Sequence, residues 1–203
     1  MNQIIKNTII LFVITLVAGI CLGTVHDITL DPIAQAQEAA ATKTYQEVYP
    51  DAASFDEPQE LADAVTAAAD SISEWGFGKV TINDAKEALD ASGNQIGYLI
   101  TSTSAESYGG NVQIAVGITN EGELTGIGFL SISDTPGLGM RAKEPDFKDQ
   151  FIGKKAENLE VTKTGASADN QIEAISGATI TSRAVTSAVN SCVAYSKSLK
   201  GGN

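Results

Sequence analysis

The hydrophobic pattern is strongest near the start of the chain, where residues 8–25 form an apolar stretch without a charged side chain. As a helix this stretch would be about 27 Å long, which matches the hydrocarbon core of a bilayer. Lys6 precedes it and Asp27 follows it, so the positive-inside rule predicts a cytoplasmic N-terminus and a C-terminal domain outside the cytoplasm. We therefore predict a single-pass anchor in the cell membrane over residues 1–26. The alternative is a signal peptide cleaved near the Ala-Gln-Ala sequence at 34–36.

The region after the anchor is rich in Ala, Gln, Asp and Thr. We predict that residues 27–55 form a stalk or linker, with helical structure around 33–48. An amphipathic pattern, with apolar residues three and four apart, predicts a helix over 60–73. Residues 56–203 are predicted to form one extracytoplasmic domain of ordinary size.

The centre of the chain alternates between apolar and polar residues, which is typical of strands. A first short strand is predicted over 77–82, and Asn83 is predicted to cap a short helix over 84–89. Turns containing glycine and asparagine separate three further predicted strands, 95–104, 112–118 and 124–133. Because these strands follow one another in sequence, the sheet is predicted to be antiparallel. With helices flanking the sheet on both sides, the predicted fold class is α+β.

The last third of the chain mixes short elements with one long helix. A short helix is predicted over 145–151, and strands are predicted over 159–164 and 171–175. Apolar residues three and four apart after residue 182 predict a C-terminal helix, with Lys200 in its last turn. This helix follows directly on the most informative segment of the sequence.

Composition narrows the possible functions. The 203 residues carry 25 acidic and 13 basic side chains, a net charge of −12, which argues against a nucleic-acid partner because no basic surface is available to replace counterions. There is one histidine, His26, and there are two cysteines, Cys21 and Cys192. We therefore predict no metal site, no iron–sulfur cluster and no Ser-His-Asp hydrolase. No catalytic residue is predicted, and any redox chemistry needs an organic cofactor.

The sequence Ser-Gly-Ala-Thr-Ile-Thr-Ser at 176–182 places several hydroxyl groups at the start of the C-terminal helix. A helix N-terminus offers free N–H groups and the positive end of the helix dipole, both of which favour an anion such as phosphate. Gly177 and Ala178 allow a ligand to come close to the backbone. A phosphate could be bound there reversibly or esterified to a threonine oxygen. The alternative interpretation is that Ser176 or Thr179 only caps the helix.

A second segment, Asp-Thr-Pro-Gly-Leu-Gly at 134–139, has the composition of a tight turn. Pro136 fixes φ, while Gly137 and Gly139 permit a positive φ or a close approach of the backbone. On its own the segment predicts only a turn after the last strand of the meander.

Together the two segments carry a family resemblance. Residues 176–182 resemble the flavinylation motif Ser/Thr-Gly-Ala-Thr/Ser-x-Thr/Ser of covalent FMN-binding domains, in which a phosphoester bond joins FMN to a hydroxyl. Residues 134–139 resemble the Glu-Thr-Pro-Gly-Leu-Gly loop that the same family carries upstream. With a membrane segment in front, the chain is similar to the G subunits of Rnf ferredoxin:NAD oxidoreductases, which are related to the C subunit of the sodium-pumping NADH:quinone reductase. The resemblance covers roughly residues 75–195 and the anchor.

The resemblance implies a set of cofactor-binding residues. FMN would be esterified to the final hydroxyl of the motif, Thr181, with Thr179 as the alternative acceptor. The other residues implied for the flavin site are Ser176, Gly177, Ala178, Ser182, Thr135, Gly137, Leu138 and Gly139. The chain departs from the family pattern at Asp134, where the family generally has Glu, and at Ile132, where many members have His. Asp134 carries the same negative charge as Glu, but its side chain is shorter by one methylene group.

The resemblance also implies a function. The chain would be a membrane-anchored electron-transfer subunit that carries covalent FMN and relays electrons within an Rnf-type ion-translocating complex, rather than a catalyst on its own. Its partners would be other membrane subunits and a flavin transferase that attaches the cofactor, and the phosphoester would make it a phosphoprotein. A free-standing flavin domain of an extracytoplasmic reductase and a non-catalytic envelope-binding module are the alternatives.

Overall fold

The computed structural model describes residues 2–72, 75–155 and 158–201. Its helices are α1 (Asn2–Val48), α2 (Gln59–Ile72), α3 (Pro145–Lys148) and α4 (Thr179–Gly201). Its strands are β1 (Ser54–Asp56), β2 (Val80–Leu89), β3 (Gln95–Ser107), β4 (Gly110–Thr119), β5 (Leu124–Ile132), β6 (Glu160–Thr162) and β7 (Gln171–Glu173). Short 3₁₀ helices occupy Gly139–Lys143 and Asp149–Phe151.

Helix α1 contains the predicted membrane segment and continues as one helix of 47 residues. The most apolar 18-residue stretch of this helix is 0% buried inside the structure. Its side chains therefore need an apolar environment such as a bilayer. In the described part of the chain it is the one helix long and apolar enough to cross a membrane. The helical structure predicted around 33–48 is confirmed. Contacts divide the chain into two units, Met1–Thr42 and Lys43–Asn203.

Five antiparallel strands form the main sheet, in the spatial order β1-β2-β3-β4-β5. Strands β3, β4 and β5 confirm the predicted three-strand meander, and Tyr98 of β3 lies opposite Ile118 of β4. The predicted helix over 60–73 corresponds to α2, although Ser73 lies outside the described residues. The α+β class with an antiparallel sheet between helices is confirmed.

The predicted helix over 84–89 is wrong, because these residues continue strand β2. Asn83 does not cap a helix; its side-chain oxygen accepts a hydrogen bond from the Thr103 hydroxyl on β3, at 2.6 Å. The register shifts at this residue, as expected of a β-bulge. After the shift, Ala85 packs into the main core and Ala88 packs into a cluster with Tyr49. Pairing with β3 and burial on both faces thus override the helical preference of an Ala-Lys-Glu-Ala-Leu sequence.

Helix α4 covers one face of the sheet and forms the main core with it. The core residues of α4 follow the predicted spacing, with Val185, Val189 and Cys192 fully buried against strands such as β3 and β4. Helix α3 and the 3₁₀ helix after it confirm the predicted short helix over 145–151, and they bury Phe147 and Phe151 in the same core. The core therefore holds the start of α4 rigidly against the sheet.

The opposite face of the sheet is covered by the last residues of α1 and the segment after it. Val48 packs with Leu99 and Ala115, and Tyr49 packs with Ala52 and Ala88. The Tyr49 hydroxyl also donates a hydrogen bond to the backbone carbonyl of Ile96, at 2.9 Å. Residues 43–52 are therefore part of the globular unit.

Strands β6 and β7 form a separate parallel pair, which the sequence pattern predicted as two strands without indicating their pairing. Asn190 of α4 holds this pair in place. Its side-chain oxygen accepts the N–H of Leu159 at 2.8 Å, and its amide donates to the Leu159 carbonyl at 2.9 Å. Strand β7 then leads directly into residues 176–182.

Candidate functional site

The start of helix α4 differs from the simple capping interpretation. The first hydrogen bond of the helix runs from the Ser182 N–H to the Ala178 carbonyl, at 3.0 Å, so Ala178 occupies the N-cap position. Neither Ser176 nor Thr179 is the cap, and that interpretation is wrong. An alanine provides no side-chain acceptor for the free N–H groups of the first turn. The helix therefore begins with backbone donors that suit an anionic ligand.

Ser182 fixes the backbone immediately before the helix. Its hydroxyl accepts the N–H of Ile175 at 3.0 Å and donates to the Ala178 carbonyl at 3.0 Å. Gly177 lies between Ile175 and Ala178 in the sequence. Its φ of +79° is a conformation that residues with a Cβ rarely adopt. The hydrogen bonds of Ser182 and the backbone conformation of Gly177 together define the turn that positions Thr181.

The central contact of the site joins the two sequence segments. Thr181 is 1% exposed, and its hydroxyl donates a hydrogen bond of 2.6 Å to Oδ2 of Asp134. The Ser107 hydroxyl donates to the same carboxylate oxygen at 2.9 Å. Oδ1 of Asp134 accepts the backbone N–H of Thr135 at 2.7 Å. One carboxylate thus binds the hydroxyl at which the resemblance places FMN.

The surroundings of Asp134 favour its ionised form. Partial burial raises the pKa of this carboxyl, but hydrogen bonds from Thr181, the Thr135 N–H, Ser107 and the Gly109 N–H outweigh burial, and the net pKa is lower than usual. These donors stabilise the charged carboxylate. Because the unfolded chain then takes up the proton at a higher pH than the folded chain, this contribution to stability is present at neutral pH and is lost on acidification.

Two glycines make the junction of the segments possible. A Cβ at Gly139 would overlap the carboxyl group of Asp134, so only glycine leaves that group its place. At Gly177 an added Cβ would lie 3.1 Å from Cδ2 of Leu138. The Leu138 side chain therefore packs over the turn that precedes α4. Gly177 gives room to the other segment, whereas Gly139 gives room to Asp134 within its own segment.

The structure brings the sequence-predicted residues together at one end of α4. Thr181, Ala178, Ser182 and Gly139 are buried, and Thr179 is partly buried. The exposed members are Ser176, Gly177, Thr135, Gly137 and Leu138. The predicted site thus has an exposed rim around the buried hydroxyl of Thr181.

Sequence reasoning missed two parts of this site and undervalued a third. Ser107 is the last residue of β3, and Gly109 lies in the turn between β3 and β4, which the sequence predicted only as a turn. A Cβ at Gly109 would overlap the Ser133 carbonyl, and this close approach brings the turn to the loop. Asp134 was noted as a departure from the family pattern without a role of its own. The one feature of the sequence that pointed to a role for Asp134 is its position directly before Thr135, a residue of the predicted flavin site.

A cleft of about 270 Å³ opens beside the turn before α4. It is lined by the exposed Ser176 and by residues of α3, β7 and the preceding 3₁₀ helix, among them Arg141, Glu144, Phe147 and Glu173. Arg141 forms an ion pair with Glu144, with 3.1 Å between Nε and Oε2. The cleft is mainly polar and charged, and it lies on the exposed side of the motif.

Comparison with known proteins shows which family this sequence resembles. Residues 107–194 match the FMN-binding domain family, and residues 1–48 match the RnfG N-terminal region. The G subunit of the Na(+)-translocating ferredoxin:NAD(+) oxidoreductase complex of Acetobacterium woodii is 36% identical over 92% of this chain and 88% of its own length. The chain belongs to the RnfG family. Another RnfG relative, the G subunit of the proton-translocating ferredoxin:NAD(+) oxidoreductase complex of Clostridium ljungdahlii, is 30% identical over 99% of this chain and 96% of its own length.

The RnfG membership confirms the predicted resemblance. Both segments, 134–139 and 176–182, lie within the region that matches the FMN-binding domain family. The RnfG chain is therefore a membrane-anchored protein with an FMN-binding domain. Among solved structures, the crystal structure of Shewanella oneidensis NqrC is similar with a TM-score of 0.49 and 18% identity, over 76% of this chain and 74% of that one.

Proposed function

We propose that this chain is the electron-transferring G subunit of an Rnf-type ion-translocating ferredoxin:NAD oxidoreductase, and that it carries FMN in a phosphoester bond to Thr181. The observation that carries the proposal is the hydrogen bond between the Thr181 hydroxyl and Asp134, which joins the two flavin segments. Family membership supports the complex, and it favours this function over a free-standing reductase domain or an envelope-binding module.

The position of Thr181 in the helix supports it over Thr179 as the acceptor. Thr181 lies three residues after the N-cap residue Ala178, and helical side chains tilt toward the N-terminus of the helix. A phosphate on its Oγ1 would therefore lie near the free N–H groups of the first turn. Thr179 is the first residue of the helix and has no comparable contact with Asp134 among the hydrogen bonds of the described residues.

A covalent bond compensates for the small size of the adjoining cleft. Sites that enclose a small organic ligand are usually about 300–1,000 Å³, whereas the cleft beside Ser176 is about 270 Å³ and is open to solvent. A tether keeps the cofactor at a high effective concentration without a deep pocket. It also leaves the ring accessible to a partner subunit.

The redox chemistry belongs to the cofactor. FMN, when bound, accepts and releases electrons, and the chain supplies position and electrostatics. The thiol in the domain cannot replace it, since Cys192 is fully buried and burial raises its pKa to about 12. A buried thiol of this kind is unreactive at neutral pH.

The proposed topology places the N-terminus in the cytoplasm and the flavin domain outside it. Lys6 before the apolar stretch and Asp27 after it support this orientation. Outside the cytoplasm a dissociated flavin is lost to the cell, which favours covalent attachment by a flavin transferase. A cysteine introduced at the exposed Gln35, in a Cys21→Ala background, should react with a membrane-impermeant maleimide on intact cells.

Replacement of the acceptor hydroxyl tests the proposal directly. The protein purified from its native membrane should weigh more than its amino acids by FMN less one water, and its band should fluoresce after denaturing electrophoresis. Thr181→Ala should abolish both signals, while the matched control Thr179→Ala should retain them. Loss of flavin in the Thr179 variant alone would move the attachment site to Thr179. An unmodified native chain would overturn the proposal.

Purification in mild detergent distinguishes the complex from a free-standing domain. The flavin-bearing chain should copurify with integral membrane subunits, because the exposed apolar face of α1 is available to them. A flavin-bearing chain that copurifies with no membrane subunit would contradict membership of a complex.

A further inference from the structure

We propose that Asp134 is a catalytic residue for the attachment of FMN to this chain: it orients the Thr181 hydroxyl and accepts its proton when that oxygen attacks phosphorus. This inference rests on the proposed function, because it concerns the same hydroxyl. It assigns a reaction step to the acceptor protein itself, in addition to the flavin transferase.

The hydrogen bond fixes the direction of the Thr181 hydroxyl. A hydroxyl has one proton and two lone pairs, and the proton of Thr181 points at Oδ2 of Asp134 over 2.6 Å. The lone pairs are therefore directed away from the carboxylate and are free to form a bond to phosphorus. A distance of this length is within the range at which a carboxylate can take up the proton.

The carboxylate is itself held in place for this task. Ser107 and the Thr135 N–H donate to its two oxygens at 2.9 and 2.7 Å, and Gly139 leaves the space that its carboxyl group fills. Within the described residues, no lysine or arginine forms a salt bridge with Asp134. Its negative charge is therefore compensated by hydrogen-bond donors alone, and one of those donors is the reacting group.

The step balances with a flavin dinucleotide as the donor of the flavin phosphate. The bond between Thr181 Oγ1 and the flavin-side phosphorus forms, and the bond from that phosphorus to the bridging oxygen of the pyrophosphate breaks. The proton of Oγ1 moves to Asp134 Oδ2, and a nucleoside monophosphate leaves with the electron pair of the broken bond. No group is oxidised or reduced.

The low basicity of Asp134 agrees with this chemistry. Its pKa lies below the usual range, so the carboxylate is ionised at neutral pH and available as an acceptor. In protein kinases, too, an aspartate accepts the proton of the attacking hydroxyl, and catalysis there is mostly positioning and electrostatic stabilisation. Position therefore matters more than base strength.

The experiment follows attachment to the full-length chain, produced without a flavin transferase and held in detergent. The chain is mixed with a purified flavin transferase and flavin adenine dinucleotide, and the initial rate is read from the intact mass and the flavin fluorescence of the denatured band. Asp134→Asn should lower kcat for attachment by about 100-fold or more, with the KM for the chain unchanged. Asp134→Glu should restore most of the rate, because it returns the carboxylate.

The control variant is Asp63→Asn, which makes the same substitution at an exposed aspartate of α2, outside the site. Its rate should stay within about threefold of the wild type, because general-base catalysis is retained. Asp134→Ala adds a second measurement, since formate can enter the space of the lost side chain. Formate should raise the rate of Asp134→Ala and leave that of the wild type unchanged, a response that a misfolded variant cannot give.

Two results would overturn the inference. One is attachment to Asp134→Asn at a rate within about threefold of the wild type. The other is a loss of rate in Asp134→Asn that Asp134→Glu does not restore, together with an Asp134→Ala variant that formate does not rescue, which would assign Asp134 a purely structural role. A wild-type chain that acquires no flavin would instead refute the proposed function itself.

Discussion

At the scale of single residues, the site depends on a carboxyl group that one glycine accommodates. Asp134 lies over Gly139, and the position of a Cβ there is occupied by its carboxyl atoms. Gly139 is not among the glycines with positive φ, so space rather than backbone conformation requires a glycine at this position. The sequence identified both segments of the site, but their contact spans 47 residues along the chain. No local pattern encodes which hydroxyl meets which carboxylate.

Gly139→Ala tests this steric requirement. The added methyl should displace the Asp134 carboxyl group, lower the free energy of unfolding by about 1–3 kcal/mol, and reduce the yield of attached flavin. Gly126→Ala is the matched control, because an added Cβ there would have its nearest contact at 3.5 Å, an ordinary distance. Urea unfolding and the flavin fluorescence of denatured bands measure the two effects. Equal behaviour of the two variants would contradict the steric account.

At the scale of elements, strand pairing and packing determine the structure of segments whose local sequence preference is misleading or weak. The sequence predicted β3 to β5 and the C-terminal helix because their apolar residues repeat at periods of two and of three to four. It placed a helix at 84–89, where the strand pairing with β3 and the burial of Ala85 and Ala88 decide the outcome. The parallel pairing of β6 with β7 was also invisible, since three-residue strands carry too little pattern to indicate their partner.

Asn190 tests how strongly α4 holds the segment that leads to the site. Asn190→Ala removes both hydrogen bonds to the backbone of the buried Leu159, which should lower the free energy of unfolding by about 2–3 kcal/mol because buried polar groups lose their partners. Ser187→Ala, one turn earlier on the same helix, should change it by less than about 0.5 kcal/mol. Denaturant unfolding of the two variants measures the difference. A similar small effect for both would show that the pair β6–β7 is held by other contacts.

At the scale of the whole molecule, the chain combines a helix long and apolar enough to cross a membrane with an FMN-binding domain. Composition and hydropathy predicted the anchor because an uncharged apolar run over residues 8–25 is long enough, as a helix, to cross a bilayer. They placed a stalk at 27–55, whereas the contacts assign residues from Lys43 onward to the globular unit. The side chains that make this assignment, Val48 and Tyr49, gave no periodic signal of their own.

A pair of truncations determines where the globular unit begins. A chain that starts at Lys43 should fold and accept flavin, since it keeps Val48 and Tyr49 on the outer face of the sheet. A chain that starts at Ser54 should aggregate or melt at a much lower temperature, because Leu99 and Ala115 lose their cover. Thermal melting and gel filtration separate the two cases. Equal stability of both chains would place the start of the unit after residue 53.

The bond between Thr181 and Asp134 has a consequence for the maturation of the protein. Once Thr181 carries an ester it has no proton to donate, and the added phosphodiester charge beside Asp134 favours a protonated carboxyl. The loop at 134–139 would then lose one of the hydrogen bonds that hold it in the chain without flavin. Amide hydrogen exchange at Thr135, whose N–H binds this carboxylate, would then distinguish empty from loaded chains, and any assembly partner that contacts the loop could do the same.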